Sequence, residues 1–394
     1  MKTKLLGTVL FMLTLGAVAF YPKLEAGSGS VQALTQAAQP RKPAVDVVFV
    51  LDTTGSMSGL IQTAKDKIWS IATTMASAQP TPEIRIGLVA YRDRGDAYVT
   101  RVTDLTSDLD SIHATLMGFR ADGGGDAPES VNQALYDAVH RMSWSKADQA
   151  YKVVFLVGDA PPHMDYNEMR YPEIVASALE QGIVVNTVQC GTMPATIDPW
   201  TQIARLGGGS FFQVEQAGGA VAFTTPFDEE IARLSAKLDA TRLYFGTGEA
   251  KERAEQKLAA TKRLHAEASV ESLARRGVFN AGAGGRANLA GESELVDAVA
   301  SGSVDLDTLE EEALPEALKP MAPAEQRAYV ERLASERNDL KERIVELARE
   351  RDAFIEAKVE EAGGMDDSLD RQLFDAVRKQ AGEVGFEYGD GPAY

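Results

Sequence analysis

The sequence predicts an α/β fold built on a mostly parallel sheet, and two observations support this prediction. The run at 45–51 is apolar except for Asp46, which is typical of a strand buried on both faces of a parallel sheet. Helical patterns, with apolar residues at three- and four-residue steps, separate this run from later apolar runs. Strands that alternate with helices in this way imply right-handed crossovers and parallel neighbours.

The predicted elements follow one another in a regular order. After the first strand comes a helix in which Ile61, Ile68 and Met75 share one face. The next two strands are joined by a charged turn at 92–96, and we expect them to form a hairpin. The predicted strands lie at 45–51, 84–91, 98–102, 152–158, 183–189 and 210–214, with helices near 61–75, 108–119, 131–139, 171–181 and 199–206.

The length, the charge and the cysteine content of the chain restrict the class of protein to which it can belong. A chain of 394 residues is long enough for about two domains, or for one domain with extensions. Its formal net charge of −18 argues against a nucleic-acid partner, because the phosphates would be repelled. Cys190 is the single cysteine, which excludes an internal disulfide, and we expect it to be a buried thiol at the end of a strand.

Oxygen-bearing side chains follow the first strand at alternate positions. Asp52, Thr54 and Ser56 come directly after the apolar run, and Gly55 permits a tight bend between them. A helical pattern begins at once. A polar turn between a strand and a helix lies in the crevice at the carboxyl edge of an open α/β sheet. A carboxylate and two hydroxyls are suitable ligands for a hard divalent cation such as Mg²⁺.

The segment 52–56 resembles the Asp-x-Ser/Thr-x-Ser signature of von Willebrand factor type A (VWA) domains. Two later segments strengthen the resemblance. The apolar strand at 152–158 is followed by Asp159. The second acidic loop of the family likewise has an aspartate at the end of a strand. Gly123-Gly-Gly-Asp126 lies between them, just before a helix, where the family usually places a threonine ligand. Three pieces in the family's order identify residues 43–240 as similar to a VWA domain.

The resemblance implies a doubly wound, six-stranded sheet with a metal-ion-dependent adhesion site on its carboxyl edge. The implied cofactor is Mg²⁺, or Ca²⁺ or Mn²⁺ in its place. In the family, hydroxyl groups touch the ion directly, and aspartates act partly through water. An open position then accepts an Asp or Glu carboxylate of a protein partner, so the implied function is adhesion or scaffolding and not catalysis. The implied metal-binding residues are Asp52, Thr54, Ser56, Asp126 and Asp159.

Asp126 is the main departure from the family pattern. Where the family usually offers a neutral hydroxyl, this chain offers a third carboxylate. Asp52, Asp126 and Asp159 around one divalent cation would leave a net charge near −1, so the ion should bind more firmly. An incoming carboxylate would gain less from the charge of the ion. The alternative is that Asp126 caps the helix that follows it.

An enzymatic alternative rests on a second similarity. Residues 52–56 are also similar to the Asp-Lys-Thr-Gly-Thr loop of P-type ATPases and their haloacid-dehalogenase relatives, in which the aspartate becomes phosphorylated. Asp52 would then be the nucleophile of a phosphoryl-transfer enzyme. Against this alternative, no segment supplies a convincing catalytic lysine, and an exported protein would meet little ATP. We therefore favour protein binding.

The N-terminal sequence predicts export. Lys2 and Lys4 precede an uncharged stretch at 5–22, and Ala17-Val-Ala19 provides a small-x-small cleavage site. The stretch is also nearly as long as the ~18–20 residues that span a bilayer. Residues 1–25 are therefore either a signal peptide or an N-terminal membrane anchor. Both alternatives place the chain in the periplasm, on the outer side of the inner membrane, or outside the cell.

The remaining segments differ in composition from the predicted sheet domain. Residues 26–42 are rich in Gly, Ser, Gln, Ala and Pro, which is typical of a flexible spacer. Residues 241–323 are expected to be a helical extension, with a small-residue break at 277–291. Residues 324–394 are expected to form a long charged helix, then a short amphipathic piece and a tail that frays.

The long helix has an imperfect heptad pattern that Arg337 and Arg351 interrupt. Packing within the chain is therefore favoured over a coiled-coil homodimer, which stays an alternative.

Two loop features are interpreted as structural and not as binding sites. Arg94-Gly-Asp96 is interpreted as a charged hairpin turn rather than an integrin-recognition tripeptide. His163 is interpreted as a solvated loop residue, because the four histidines show no zinc spacing.

Overall fold

The computed structural model describes residues 42–125, 127–214, 224–361 and 369–389. The described residues from 42 onwards form one compact unit. The predicted signal or anchor at 1–25 and nearly all of the predicted spacer lie outside the described residues, as does Asp126. The domain boundaries expected after residues 240 and 323 stay predictions.

The centre of the molecule is a six-stranded sheet with the strand order β3-β2-β1-β4-β5-β6. Neighbouring strands are parallel except for β2 and β3, which form the predicted antiparallel hairpin. The sequence therefore predicted the sheet correctly. The strands are β1 (Ala44–Asp52), β2 (Glu83–Tyr91), β3 (Thr100–Thr106), β4 (Ala150–Gly158), β5 (Ile183–Cys190) and β6 (Gly208–Val214).

Helices cover both faces of the sheet, which makes the fold doubly wound. Trp69 is fully buried in the core on one face, and Trp200 is fully buried in the core on the other. Because both faces are covered, β1 is buried almost along its whole length, as its apolar sequence requires. The helices are α1 (Ser58–Ala76) and α2 (Leu109–Gly118) on the first face, and α3 (Val131–His140), α4 (Tyr171–Glu180) and α5 (Pro194–Leu206) on the second.

The C-terminal part of the chain is helical and packs on the first face. The expected small-residue break is partly wrong, because residues 277–281 continue a helix. Gly277 lies inside that helix, and a Cβ there would stand 3.0 Å from Cβ of Ser235, so the glycine serves close helix packing. The helices are α6 (Asp228–Ala240), α7 (Glu249–Glu267), α8 (Val270–Ala281), α9 (Arg286–Ala290), α10 (Leu295–Ala300), α11 (Pro323–Glu361) and α12 (Leu369–Gly382).

The long helix α11 packs within its own chain. Leu340 and Ile344 join a core with residues of α6 and α8. The two arginines that interrupt the heptad pattern are buried and paired. Arg337 donates to Glu294 at 2.8 and 2.9 Å, and Arg351 donates to Asp228 at 2.9 Å. The interruptions are therefore ion pairs with helices of the same chain.

Helix α12 and the residues after it belong to the core of the sheet domain, so the expected fraying is wrong for residues 369–389. Phe374, Phe386 and Tyr388 are buried in the core that contains Trp69. The amide of Gln380 exchanges hydrogen bonds with the amide of Asn186 on β5 at 2.9 and 3.1 Å. None of the described helices combines the length and apolarity that a bilayer-spanning helix requires.

Candidate metal centre

The candidate centre lies where β1 and β4 end side by side. These two strands are parallel neighbours, and Leu51 pairs with Val157 one residue before each strand ends. The chain leaves β1 in one direction across the sheet and β4 in the other, so this point is the switch of the strand order. Open α/β sheets bind ligands in the crevice at such a point. The loops that carry Asp52 and Asp159 therefore meet there.

The loop after β1 brings its oxygen-bearing side chains together. The backbone N–H and the hydroxyl of Thr54 donate to Oδ1 of Asp52 at 2.8 and 2.6 Å. The hydroxyls of Thr54 and Ser56 lie 3.5 Å apart. Asp52 and Thr54 are buried, whereas Ser56 is exposed. The three predicted ligands of this loop therefore lie together, with Ser56 on the solvent side.

Gly158 allows the end of β4 to approach Asp52 closely. A Cβ at this position would lie 3.1 Å from Oδ2 of Asp52 and 2.5 Å from the hydroxyl of Tyr91. Only glycine fits there without movement of the backbone or of these side chains. The next residue, Asp159, is held by α5, since the hydroxyl of Thr196 donates to its carbonyl at 2.8 Å.

The electrostatics of the centre show that Asp52 and Asp159 are close neighbours. Burial, helped by the charge of Asp159, raises the pKa of Asp52 to about 7, although the hydrogen bonds from Thr54 act in the opposite direction. Oδ2 of Asp52 is buried and has no hydrogen-bond partner among the described residues. A buried carboxylate without a compensating cation is costly, so this oxygen fits a metal ligand.

The glycine-rich loop before α3 packs against the first loop. The backbone N–H of Gly55 donates to the carbonyl of Gly123 at 3.2 Å, and that of Asp122 donates to the carbonyl of Thr53 at 3.1 Å. Gly123 and Gly124 have φ values of 81° and 84°, which favour glycine. The described residues on both sides of Asp126 therefore lie beside the centre. The role predicted for Asp126 itself stays a prediction.

Glu129 is a residue of the centre that the sequence reasoning missed. It is only 3% exposed, and no described residue donates a hydrogen bond to its Oε2. Burial, together with the charges of Asp52, Asp93, Asp96 and Asp159, raises its pKa to about 9. An acidic residue just before a helix is common, so only its distance of three residues from Asp126 could have drawn attention to it.

His163 is buried at 7% exposure, so the interpretation as a solvated residue is wrong. Its ring stacks on Tyr166 with centroids 3.9 Å apart, and its Nε2 lies 3.4 Å from Oδ2 of Asp93. Asp93 also accepts hydrogen bonds at 2.7 Å from Ser130 and from Tyr166. This network fixes the loops around the centre, and the sequence missed it because the contacts join distant segments.

The turn at 94–96 is a hairpin connection, as predicted. Arg94 pairs with Glu168 at 2.6 Å and lies over the ring of Tyr166. Gly95 has a φ of 99°, and Asp96 accepts from the backbone N–H of Gly124 at 3.2 Å. Both charged side chains therefore stabilise loops of the same chain.

The prediction for Cys190 is also confirmed, because its thiol is fully buried and forms no disulfide.

The side chains at the centre can hold a divalent cation only if carboxylate and hydroxyl oxygens act together as its ligands. Among the described residues, no three His, Cys, Asp or Glu side chains form a group that could hold an ion. The carboxylates of Asp52 and Asp159 would need the hydroxyls of Thr54 and Ser56, with Asp126, to complete an oxygen set. Mg²⁺, Mn²⁺ and Ca²⁺ accept such mixed oxygen ligands together with water.

The sheet order, the loop after β1 and the second acidic loop define a VWA-type α/β domain. Comparison with protein families agrees, because residues 46–216 match the model of the von Willebrand factor A domain. The match identifies this segment as a VWA domain, a type of domain that is often involved in metal-dependent protein interaction.

Two curated relatives match over part of the chain. An ariadne-like RING finger protein of Acanthamoeba polyphaga mimivirus is 30% identical over 126 residues, which is 31% of this chain and 12% of the relative. An alpha-protein kinase of Dictyostelium discoideum is 28% identical over 128 residues, which is 32% of this chain and 20% of the relative. The match thus spans a small part of each relative.

Two solved structures are distantly similar to this chain. BatB from Bacteroides thetaiotaomicron is 17% identical with a TM-score of 0.34, over 44% of this chain and 91% of that one. Proximal thread matrix protein 1 from the mussel byssus, with a zinc-occupied MIDAS motif, is 16% identical with a TM-score of 0.34, over 44% of this chain and 42% of that one.

Proposed function

We propose that this chain is a divalent-metal-dependent protein-binding module of the cell envelope, acting in adhesion or as a scaffold. The observation that supports it most is the state of Asp52. One carboxylate oxygen is held by Thr54, and the other is buried at the carboxyl edge of the sheet with no hydrogen-bond partner in the part of the chain that the structure describes. A protein that keeps an unsatisfied buried carboxylate at a ligand-binding crevice loses stability unless a cation binds there.

The residues around the centre are fixed before a partner arrives. Arg92 donates to the carbonyls of Thr53 and Arg120 at 3.1 and 2.8 Å, so it holds the first loop against the chain that leads to the glycine-rich loop. Ser56 is exposed beside the buried Thr54. A bound divalent cation supplies a coordination position that an Asp or Glu carboxylate of a protein partner can occupy. Binding then costs little reorganisation of the loops.

The proposal includes the metal set Asp52, Thr54, Ser56, Asp126 and Asp159, with Mg²⁺, Mn²⁺ or Ca²⁺ as the ion. It also includes export through residues 1–25, as a signal peptide or as an anchor that is the sole membrane attachment. A homodimer through the long helix is left out, because Leu340, Ile344 and Leu347 are covered by helices of the same chain. Phosphoryl transfer through Asp52 remains the enzymatic alternative.

Partner capture tests the function. The full mature chain is immobilised and incubated with detergent-solubilised envelope, in Mg²⁺ or in a chelator, beside the Asp52→Ala variant. We expect one set of proteins to be retained by the wild type in Mg²⁺ and lost in the other two conditions. Substitution of acidic residues on a retained protein should abolish its binding. Equal retention in all conditions would contradict a metal-dependent function, and an aspartyl phosphate after incubation with a phosphoryl donor would support the enzyme.

A further inference from the structure

A cavity of about 250 Å³ lies between the sheet domain and the C-terminal helical region. One wall is the segment that joins β3 to α2, and the opposite wall is α7. Tyr244 and residues 291–293 also line it. Ligand cavities are common where two regions of a chain meet in this way.

The cavity is toward the other end of the sheet from the candidate metal centre. Thr106 lines the cavity, and in the register of β2 and β3 it pairs with Ile86, near the amino end of β2. At the carboxyl end of β2, Tyr91 pairs with Asp52. The cavity therefore shares no residue with the metal centre, and a ligand bound there is a second ligand of the chain.

Tyr244 contributes a buried hydroxyl to the lining of the cavity. No described residue forms a hydrogen bond with this hydroxyl. The ring lies beside Gly291, since a Cβ on that glycine would stand 4.0 Å from Cε1 of Tyr244 and 3.3 Å from Cδ of Lys257. A buried hydroxyl without a hydrogen bond costs free energy, and a polar molecule in the cavity can supply the missing partner.

The other uncommitted polar groups of the lining are uncharged. The side chains of Ser107, Gln256 and Ser293 form no hydrogen bond with a described residue. Hydroxyl and amide groups can both donate and accept hydrogen bonds. The cavity thus offers several neutral donors and acceptors, which suits a ligand that itself carries several hydroxyl groups.

The charged side chains of the lining are already paired with one another. Nζ of Lys257 lies 2.7 Å from Oδ1 of Asp108, and Nε of Arg253 lies 3.4 Å from Oε2 of Glu292. These four charges cancel. A charged ligand would have to break one of the pairs or leave its own charge uncompensated, and an uncharged ligand has neither cost.

We propose that this cavity binds a neutral polyhydroxylated molecule of the size of one sugar ring. Cavities for drug-sized ligands are about 300–1,000 Å³, so this one suits a smaller molecule. The hydroxyls of the ligand exchange hydrogen bonds with Tyr244 and the serines, and its C–H groups pack on Ala250, Ala254 and Ala287. The inference goes beyond the proposed function and does not depend on the metal.

Saturation-transfer NMR of the full mature chain tests the proposal. The probes are D-glucose, D-galactose, D-mannose and N-acetyl-D-glucosamine at millimolar concentration, in a chelator so that the metal centre has no part. Inorganic phosphate, followed by its own resonance, and glycine are the charged comparisons. We expect at least one sugar to bind and neither charged probe to do so.

Two variants locate the binding site. Ala250→Phe fills the cavity and should abolish sugar binding, whereas Ala259→Phe, at an exposed position of the same helix, should bind like the wild type. Tyr244→Phe should weaken binding by about 2- to 10-fold, as expected for the loss of one hydrogen bond. Because the hydroxyl has no partner among the described residues, the melting temperature of Tyr244→Phe should not fall.

The other results overturn the proposal. They are no transfer to any of the four sugars, sugar binding that survives in Ala250→Phe, and a charged probe that binds in the cavity in place of the sugars. A diffraction experiment removes the dependence on a folded variant, because wild-type crystals can be soaked in the same sugars. A sugar ring between α7 and the segment before α2 supports the proposal, and water alone in that space overturns it.

Discussion

Arg276 and Asp110 form an ion pair that has no contact with solvent. Nη2 of Arg276 lies 2.6 Å from Oδ2 of Asp110, and both side chains are 0% exposed. Arg276 also donates to Asp239 at 2.7 Å. Burial alone would raise the pKa of Asp110, but the charge of Arg276 holds it well below its usual range. The pair joins α8 of the C-terminal region to α2 of the sheet domain.

Loss of this arginine should destabilise the whole chain. Arg276→Met leaves the buried carboxylate of Asp110 without its ion-pair partner and removes one of the partners of Asp239, and removal of one partner from a buried pair costs about 3–5 kcal/mol. Urea unfolding measures the change in the free energy of unfolding. The matched control is Arg233→Met, which breaks an exposed pair with Glu230 and should leave stability nearly unchanged. Equal effects of the two variants would contradict the importance of the buried pair.

The VWA domain should not fold when it is cut from the C-terminal helices. Phe279 packs against Trp69 with ring centroids 5.9 Å apart, and Leu264 and Phe374 lie in the same core. A fragment of residues 43–240 exposes this face, so we expect no cooperative melting and weak near-ultraviolet circular dichroism. A chain of residues 42–394 keeps these contacts and should melt like the full chain. Cooperative melting of the fragment at the full-chain temperature would show that the helices are dispensable.

Gly158 offers a test of the close approach between β1 and β4. Gly158→Ala places a methyl group 2.5 Å from the hydroxyl of Tyr91 and 3.0 Å from Cβ of Asp52. We expect a loss of about 1–3 kcal/mol of stability and weaker cation binding, because the crowded strands must move apart. Gly118→Ala is the control, since no atom lies within 4 Å of its new methyl group. A harmless Gly158→Ala would show that the ends of the two strands are not tightly packed.

The sequence predicted what depends on short segments and missed what depends on distant ones. The apolar run of β1 and the turn at Asp52–Ser56 are local patterns, so they predicted a strand and a polar loop correctly. Gln380 and Asn186 are 194 positions apart, and no local pattern indicates that α12 completes the core. Glu129 was missed for a similar reason. Its burial arises from three loops that meet only in the folded chain.

The stability of the metal-free chain should fall as the pH rises. Burial raises the pKa of Asp52 from 3.8 to about 7 and that of Glu129 from 4.5 to about 9. At a pH well below 3.8 both carboxyl groups are protonated in the folded and the unfolded chain, and their contribution to stability is fully present. Between pH 4 and 9 the folded chain binds more protons than the unfolded one, so the contribution is lost as the pH rises.

Thermal melting from pH 5 to 9 in a chelator measures this slope. The double variant Asp52→Asn, Glu129→Gln is the control and should show a flatter dependence, because neither side chain can titrate. Mn²⁺ affinity of the wild type should rise over the same range, since the ion binds the deprotonated carboxylates and releases protons. A metal-free stability that rises from pH 5 to 9 would contradict the raised pKa values.

The central claim is that a divalent cation binds at Asp52, and cation titration of the full mature chain tests it most directly. Mg²⁺, Mn²⁺ or Ca²⁺ at 100 times its Kd should stabilise the folded chain by about 2.7 kcal/mol, seen as a higher melting temperature. Asp52→Ala should abolish this response and the heat of binding in calorimetry. No response to any of the three ions in the wild type, or the same response in Asp52→Ala, would contradict the account.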